Sequence, residues 1–349
     1  MTSLPTIMSG ILLMGHGGYD RLCFSDTIAV PDPVAGEVLI RVHAAAVNNT
    51  DLNTRLGWYS KGDAEAEDAT WSGTALQFPR IQGADVCGEI VAVGDTVDPA
   101  RIGERVLIEP SLHEANGAPL STPWYFGSEC DGGFAQYTRV AARYAHPINS
   151  PLSAVELASF PCSYSTAENM LTRAQLKAGE TVLITGASGG VGSAAIQLAK
   201  ARGAYVIAIT SAAKADELRA IGADETLERA TDLRKTPGMN SVDVVVDLVA
   251  GPAWPQLPDV LRPGGRYAVS GAIGGPMVEL DVRTLYLKDL SFFGCTILEP
   301  QVFPNLVKLI ETGKIRPLVA QTWPLQDIIE AQKAFESKSH IGKIVLEIP

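Results

Sequence analysis

Apolar and polar positions change rhythm partway along this chain. Before about residue 150 the apolar residues fall in short alternating runs, GEVLIRVHAAAV (36–47), CGEIVAVG (87–94) and RVLIEP (105–110), each set off by turn residues. Period-two alternation predicts half-buried strands, and their succession predicts a compact β-barrel-like domain. From about Pro151 the apolar runs alternate with helical stretches: TVLITGASGGVGSAAIQLAKARGAYVIAIT (181–210), the helix KADELRAIGA, the strand SVDVVVDLVA, and LRPGGRYAVSGA as a turn and strand. Strands alternating with helices predict a doubly wound α/β domain. After Cys295 the pattern predicts a helix around 305–312, another around 325–336 and a last strand at 342–348, returning to the first domain.

The segment 181–210 is the most informative. Ala187, Gly189 and Gly192 have the A-x-G-x-x-G spacing of a dinucleotide fingerprint, placed after a strand and opening a helix, with Ser188, Gly190 and Val191 completing the loop. Gly189 lets backbone approach a pyrophosphate, Gly192 lets helix pack on strand, and the helix N-terminus offsets the phosphate charge. The second strand ends in Thr210, Ser211, Ala212, Ala213 and Lys214, with no carboxylate to accept from a ribose 2′-OH. Ser211 and Lys214 suit a 2′-phosphate, so NADPH is the expected cofactor.

Composition narrows the partners. The 349 residues suit two domains, and a formal charge of −11 argues against nucleic acid or an anionic membrane, leaving a small-molecule substrate. The N-terminus lacks the basic residues of a signal peptide and no apolar run could span a bilayer, so a cytoplasmic location is expected. Five scattered cysteines suggest neither disulfides nor a local zinc cluster. Residues 60–69 are acidic and Ala-rich and are expected to form a surface loop; the longer insertion 60–77 is a candidate lid.

AAAVNNTDLNTRLGWY (44–59), GADVCGEIVAVG (83–94), ERV (104–106), DGGFAQY (131–137), the fingerprint and HIGKIVLEI (340–348) together resemble the medium-chain dehydrogenase/reductases, in their quinone oxidoreductase-like branch. The resemblance implies a GroES-like β-barrel catalytic domain (1–150 and 296–349) and a doubly wound Rossmann domain (151–295). It further implies cofactor contacts at Thr166, Val249, Ser270 and Lys343, and a homodimer paired through the edge strand SFFGCTIL (291–298).

Departures from the zinc alcohol dehydrogenases set the expected chemistry. Asn48 stands where those enzymes have the Cys of Cys-x-x-Asp, Gly83-Ala84-Asp85 replaces Gly-His-Glu, and only Cys162 remains at the third ligand position. Asp85 is a possible stand-in, but no metal is expected, because zinc prefers thiolate, imidazole and carboxylate. Reduction of a quinone or an α,β-unsaturated carbonyl then becomes the expected reaction, with Asn48, Tyr59 and Tyr164 as candidate donors to the substrate oxygen and Asp51 orienting its neighbours. Two alternatives stay open at this point: a zinc-type alcohol dehydrogenase with a degenerate site, and a non-enzymatic NADPH-binding protein.

Overall fold

The computed structural model describes residues 4–60 and 75–349, so most of the candidate lid at 60–77 lies outside the described residues. The chain forms two compact units, Met1–Cys162 with Pro317–Pro349, and Ser163–Arg316. Both expected architectures are present: the first unit is rich in antiparallel strands, and the second is a parallel sheet with helical crossovers.

In the first unit the strand Glu37–Ala46 is the hub, buried at most positions because partners cover it on every side. It pairs antiparallel with Asp85–Val93, with Lys343–Glu347 and with Tyr137–Ala141. The seven-stranded sheet continues through Arg105–Ile108 to Ala145–Pro147 at one end and to Val319–Pro324 at the other. Val38, Ile40, Val42, Val86, Ile90, Phe126, Phe134 and Leu346 meet in its core.

Register in this sheet positions the chemistry. Ala46 is paired with Asp85 on one side and with Val345 on the other. Carrying the antiparallel register two residues further sets Lys343 opposite Asn48, and the Val47 N–H donates to the Ile344 carbonyl at 2.9 Å to hold it there. Strands distant in sequence thus bring Asn48, Asp85 and Lys343 to one place.

The second unit has six parallel strands in the order Glu225–Glu228, Tyr205–Thr210, Thr181–Ile184, Val242–Asp247, Leu261–Val269, Ser291–Gly294. Numbered within the unit this is 3-2-1-4-5-6, whose order reverses between Thr181–Ile184 and Val242–Asp247, the point where such sheets bind ligands at their carboxyl ends. The helix Gly190–Ala201 makes the first crossover.

The second unit runs from Ser163 to Arg316, and the helix Val302–Glu311 stays with it instead of returning to the first. Asn169 explains part of this: its amide donates to the Ile297 carbonyl at 2.9 Å and accepts the Glu299 N–H at 3.1 Å, tying the chain beyond the last strand to the helix Pro161–Arg173. Gln197 does the same at the far end, accepting the Arg316 N–H at 2.9 Å. No helix among the described residues is long and apolar enough to cross a membrane.

Two fingerprint glycines do different work. A Cβ on Gly192 would stand 2.4 Å from the Gly186 carbonyl oxygen and 2.6 Å from the Ala187 Cα, both backbone atoms, whereas one on Gly189 would meet only the Gly186 oxygen at 3.5 Å. Gly192→Ala is therefore expected to lower the unfolding free energy by about 1–3 kcal/mol in a urea titration, despite its better helix propensity. Gly189→Ala, which only exchanges one helix cap for a poorer one, is expected to lose less than about 1 kcal/mol. Equal losses would contradict the packing role of Gly192.

Candidate active site

The helix Asn49–Leu56 begins where the hub strand ends. Asn48 caps it, and the Asp51 side chain reaches back so that its Oδ2 accepts the Asn48 N–H at 2.7 Å; Gly57, at φ 69°, closes the other end. The other Asp51 oxygen accepts the Gly83 N–H at 3.2 Å, and the Gln82 amide donates to the Asp51 carbonyl at 2.8 Å. Gly83 fits this turn because its φ is +104° and a Cβ would collide with the Phe134 ring at 2.6 Å. Asp51 thus holds the loop that carries the GADV segment. Burial pushes its carboxyl up to about 7, against the two N–H groups and the Lys343 ammonium, which pull it down.

Asn48 lies at the centre of a buried polar cluster. Its Nδ2 donates to Asp85 Oδ2 at 2.8 Å and to the Ala46 carbonyl at 3.2 Å, while its Oδ1 accepts from the Lys343 ammonium. Lys343 Nζ also stands 2.8 Å from Asp85 Oδ2, and the remaining Asp85 oxygen accepts the Cys162 backbone N–H. Asp85 is 0% exposed, Lys343 2% and Asn48 5%. Both amide hydrogens of Asn48, an expected donor to a substrate oxygen, are committed inside the protein. Lys343, an expected cofactor contact, likewise directs its ammonium to Asp85 and Asn48.

Cys162 borders this cluster. Its sulfur lies 2.9 Å from the Tyr125 hydroxyl, and the two pack with Ala84. Burial, with the charge of Asp85 adding to it, pushes the thiol up to about 12, so it is protonated at neutral pH. Tyr59 belongs to the same unit, half-buried just beyond the helix; its hydroxyl donates to Thr50 Oγ1 and accepts from Asn53, both at 3.4 Å. The structure therefore gathers Asn48, Asp51 and Tyr59 around one short helix. Tyr164 belongs to the second unit, where its hydroxyl donates to the Arg316 carbonyl and accepts from Gln197, both at 2.8 Å. Its hydrogen is committed internally too.

In the second unit the expected cofactor residues collect at the carboxyl edge of the sheet. The loop Gly186–Gly189 turns directly into the helix Gly190–Ala201, so that Ala187, Ser188, Gly189, Gly190, Val191 and Gly192 surround its N-terminus, whose first N–H groups have no partner within the helix. Val249 and Ser270 follow the two strands on the other side of the reversal point. Asp247 shapes the Val249 loop: its buried carboxylate accepts from the Thr185 hydroxyl, from the Val249 and Ala250 N–H groups at 2.9 and 3.1 Å, and from the Tyr267 hydroxyl at 2.6 Å. Thr166 sits half-buried on the helix Pro161–Arg173. These residues fit a dinucleotide, with backbone donors and a glycine open to close approach.

Sequence reading overlooked Arg229. Thr210 pairs with Glu228 in the parallel register, so the next residues, Ser211 and Arg229, leave adjacent strand ends side by side. Burial, then the Arg229 guanidinium, hold the Lys214 ammonium below the usual lysine range. Two cations thus crowd the strand end where a carboxylate would mark an NAD site. A basic residue directly after the third strand was the signal available in the sequence.

Residues 34–150 match the alcohol dehydrogenase GroES-like domain family, and residues 190–312 match the family described as zinc-binding dehydrogenase. A crystal structure of a putative alcohol dehydrogenase from Sinorhizobium meliloti 1021 is 45% identical, covers 100% of this chain and 99% of its own, and superposes with a TM-score of 0.91. The quinone oxidoreductase of Lama guanicoe is 30% identical over 99% of both chains. Acryloyl-coenzyme A reductase of Metallosphaera sedula is 29% identical over 97% of this chain and 99% of its own.

One of those family descriptions names zinc, and the residues here do not fit it. Where three ligands are expected stand the Asn48 amide, the Ala84 methyl group and the Cys162 thiol, and the neighbouring carboxylate of Asp85 already faces an ammonium. Among the described residues no three His, Cys, Asp or Glu side chains cluster so as to hold a metal ion.

The raised carboxyl of Asp51 has a stability consequence. Folded Asp51 keeps its proton to about pH 7, whereas the unfolded side chain releases it near 3.8, so between these values the folded state binds more protons. Its contribution is fully present below that window and lost as pH rises through it. Asp51→Asn is expected to flatten the decline of urea-unfolding free energy between pH 4 and 7 by up to about one proton. Identical slopes in the two proteins would refute a raised Asp51.

Proposed function

The chain belongs to the medium-chain dehydrogenase/reductase family, and from that premise we propose that it is a cytoplasmic, homodimeric, NADPH-dependent and zinc-independent reductase of quinones or α,β-unsaturated carbonyls. The observation that carries this reading is the buried ammonium of Lys343 held by Asp85 and Asn48 where metal donors would be needed. Two of the relatives above are named for acceptors of this kind, a quinone and an acryloyl thioester.

NADPH, when bound, supplies a hydride from its nicotinamide ring. The acceptor oxygen then gains negative charge and needs an N–H or O–H donor. We assign the donor role to Tyr59, whose half-buried hydroxyl would exchange its 3.4 Å bond to Thr50 for one to the acceptor oxygen. Asp51 holds the start of the helix that leads to it. Ser211, Lys214 and Arg229 support the choice of NADPH as the groups that would meet a 2′-phosphate. The homodimer is supported by the strand Ser291–Gly294 at the open edge of the parallel sheet and by exposed Met277, Val282, Tyr286 and Leu287 in the same unit.

Metal-stripped protein is expected to oxidise NADPH in stopped flow with quinones and enones and to ignore simple ketones. Turnover that returns only with added zinc would favour an alcohol dehydrogenase, and tight NADPH binding without turnover a non-enzymatic protein. Lys214→Ala and Arg229→Ala are each expected to raise KM for NADPH by about 10- to 100-fold, the loss of a charge-assisted contact, with KM for NADH unchanged. Equal effects on both cofactors would remove the 2′-phosphate assignment. Tyr59→Phe is expected to lower kcat by about 100-fold with little change in KM; an unchanged kcat would take the donor role from Tyr59.

A further inference from the structure

The oxygens that face Lys343 are fixed without it. One carboxylate oxygen of Asp85 is held by the Cys162 N–H, and the other also accepts from the Asn48 amide. Asn48 is held through its Nδ2 by Asp85 and by the Ala46 carbonyl, so its Oδ1 has to point at the ammonium; a flipped amide would set N–H against N–H. The cluster is therefore a preformed pair of oxygen acceptors, and the cation it holds arrives on the strand Lys343–Glu347.

We propose that Lys343 is a positioning residue acting as the resident cation of this cluster: its ammonium takes Asp85 and Asn48 as ligands in place of a metal ion, and the pocket stays selective for a cation when the lysine is truncated. This inference rests on the metal-independent reading above, yet its test needs neither substrate nor cofactor. Without the ammonium, Asp85 is a buried charge lacking its counterion, a condition that strongly destabilises a fold. A cation that fits relieves it and stabilises by mass action.

The test is thermal unfolding of Lys343→Ala with added propylammonium chloride or sodium chloride at equal ionic strength. Lys343→Ala is expected to lose several degrees of Tm, to regain at least half of the loss with propylammonium, and to regain little with sodium. Lys343→Met with Asp85→Asn, which removes both charges, should be more stable than Lys343→Ala and indifferent to both salts. Should Lys343→Ala accumulate only unfolded, its refolding yield from urea with and without each cation gives the same reading. The proposal is overturned by an undiminished Tm, by equal recovery in sodium, by a cation response in the neutral double variant, or by refolding that no cation improves. A protein inactive toward quinones and enones would instead sink the proposed reaction and leave these outcomes standing.

Discussion

A carboxylate shut away from water sets the terms for the first unit. Asp85 opens a sheet strand at 0% exposure, where an unpaired charge is prohibitively costly, and it is tolerated because an ammonium, an amide and a backbone N–H converge on it. These groups come from the last strand, from the turn after the hub strand and from the helix start at Cys162, so a slip of one residue in any of those pairings would turn a partner away. Buried ion pairs are seldom the most stabilising solution, since apolar residues of similar volume often serve as well or better. Retaining one here is better explained by what the charge organises than by the stability it adds.

The second unit solves a related problem with hydrogen bonds alone. Asp247 is also fully buried, and it is met by the Thr185 and Tyr267 hydroxyls and by the N–H groups of its own following loop, with Trp254 donating in turn to Tyr267 at 2.8 Å. That arrangement ties three neighbouring strands together where the strand order reverses, and it fixes the backbone around Val249. In each unit a fully buried acid holds loops near the candidate chemistry, Asp85 by a cation and Asp247 by oriented dipoles.

Local sterics explain what was legible in the sequence. The dinucleotide loop could be read because its glycines answer to contacts within a few residues, as the 2.4 Å approach of a Gly192 Cβ to the Gly186 oxygen illustrates. Strands such as Glu37–Ala46 and Val242–Asp247 were visible in their periodicity. Contacts made across the fold were not. Neither the tie from Asn169 to Glu299, which moves the unit boundary to Arg316, nor the meeting of Lys343 with Asn48 leaves a mark in residue spacing. Alternation along a strand tells that Lys343 and Val345 share a face; it does not tell which strand lies alongside, and that pairing brings the Lys343 ammonium to Asp85. Arg229 escaped notice for the same reason, since its relation to Ser211 exists only in the parallel register.

The kind of cation at this position constrains the kind of acceptor the protein can serve. A catalytic metal keeps an open coordination position and stabilises an alkoxide by binding it directly. Lys343 is 2% exposed and directs hydrogens to Asp85 and Asn48, so in this arrangement its ammonium is engaged by oxygens of the protein. Negative charge on an acceptor oxygen must then be met by ordinary hydrogen bonds, which are weaker than a Lewis acid and suffice best where that charge is delocalised. Enolates and hydroquinone anions spread it over several atoms, whereas the alkoxide left by a saturated ketone holds it on one. On the proposed reading, conjugated acceptors are therefore the ones best matched to a site that offers hydrogen bonds.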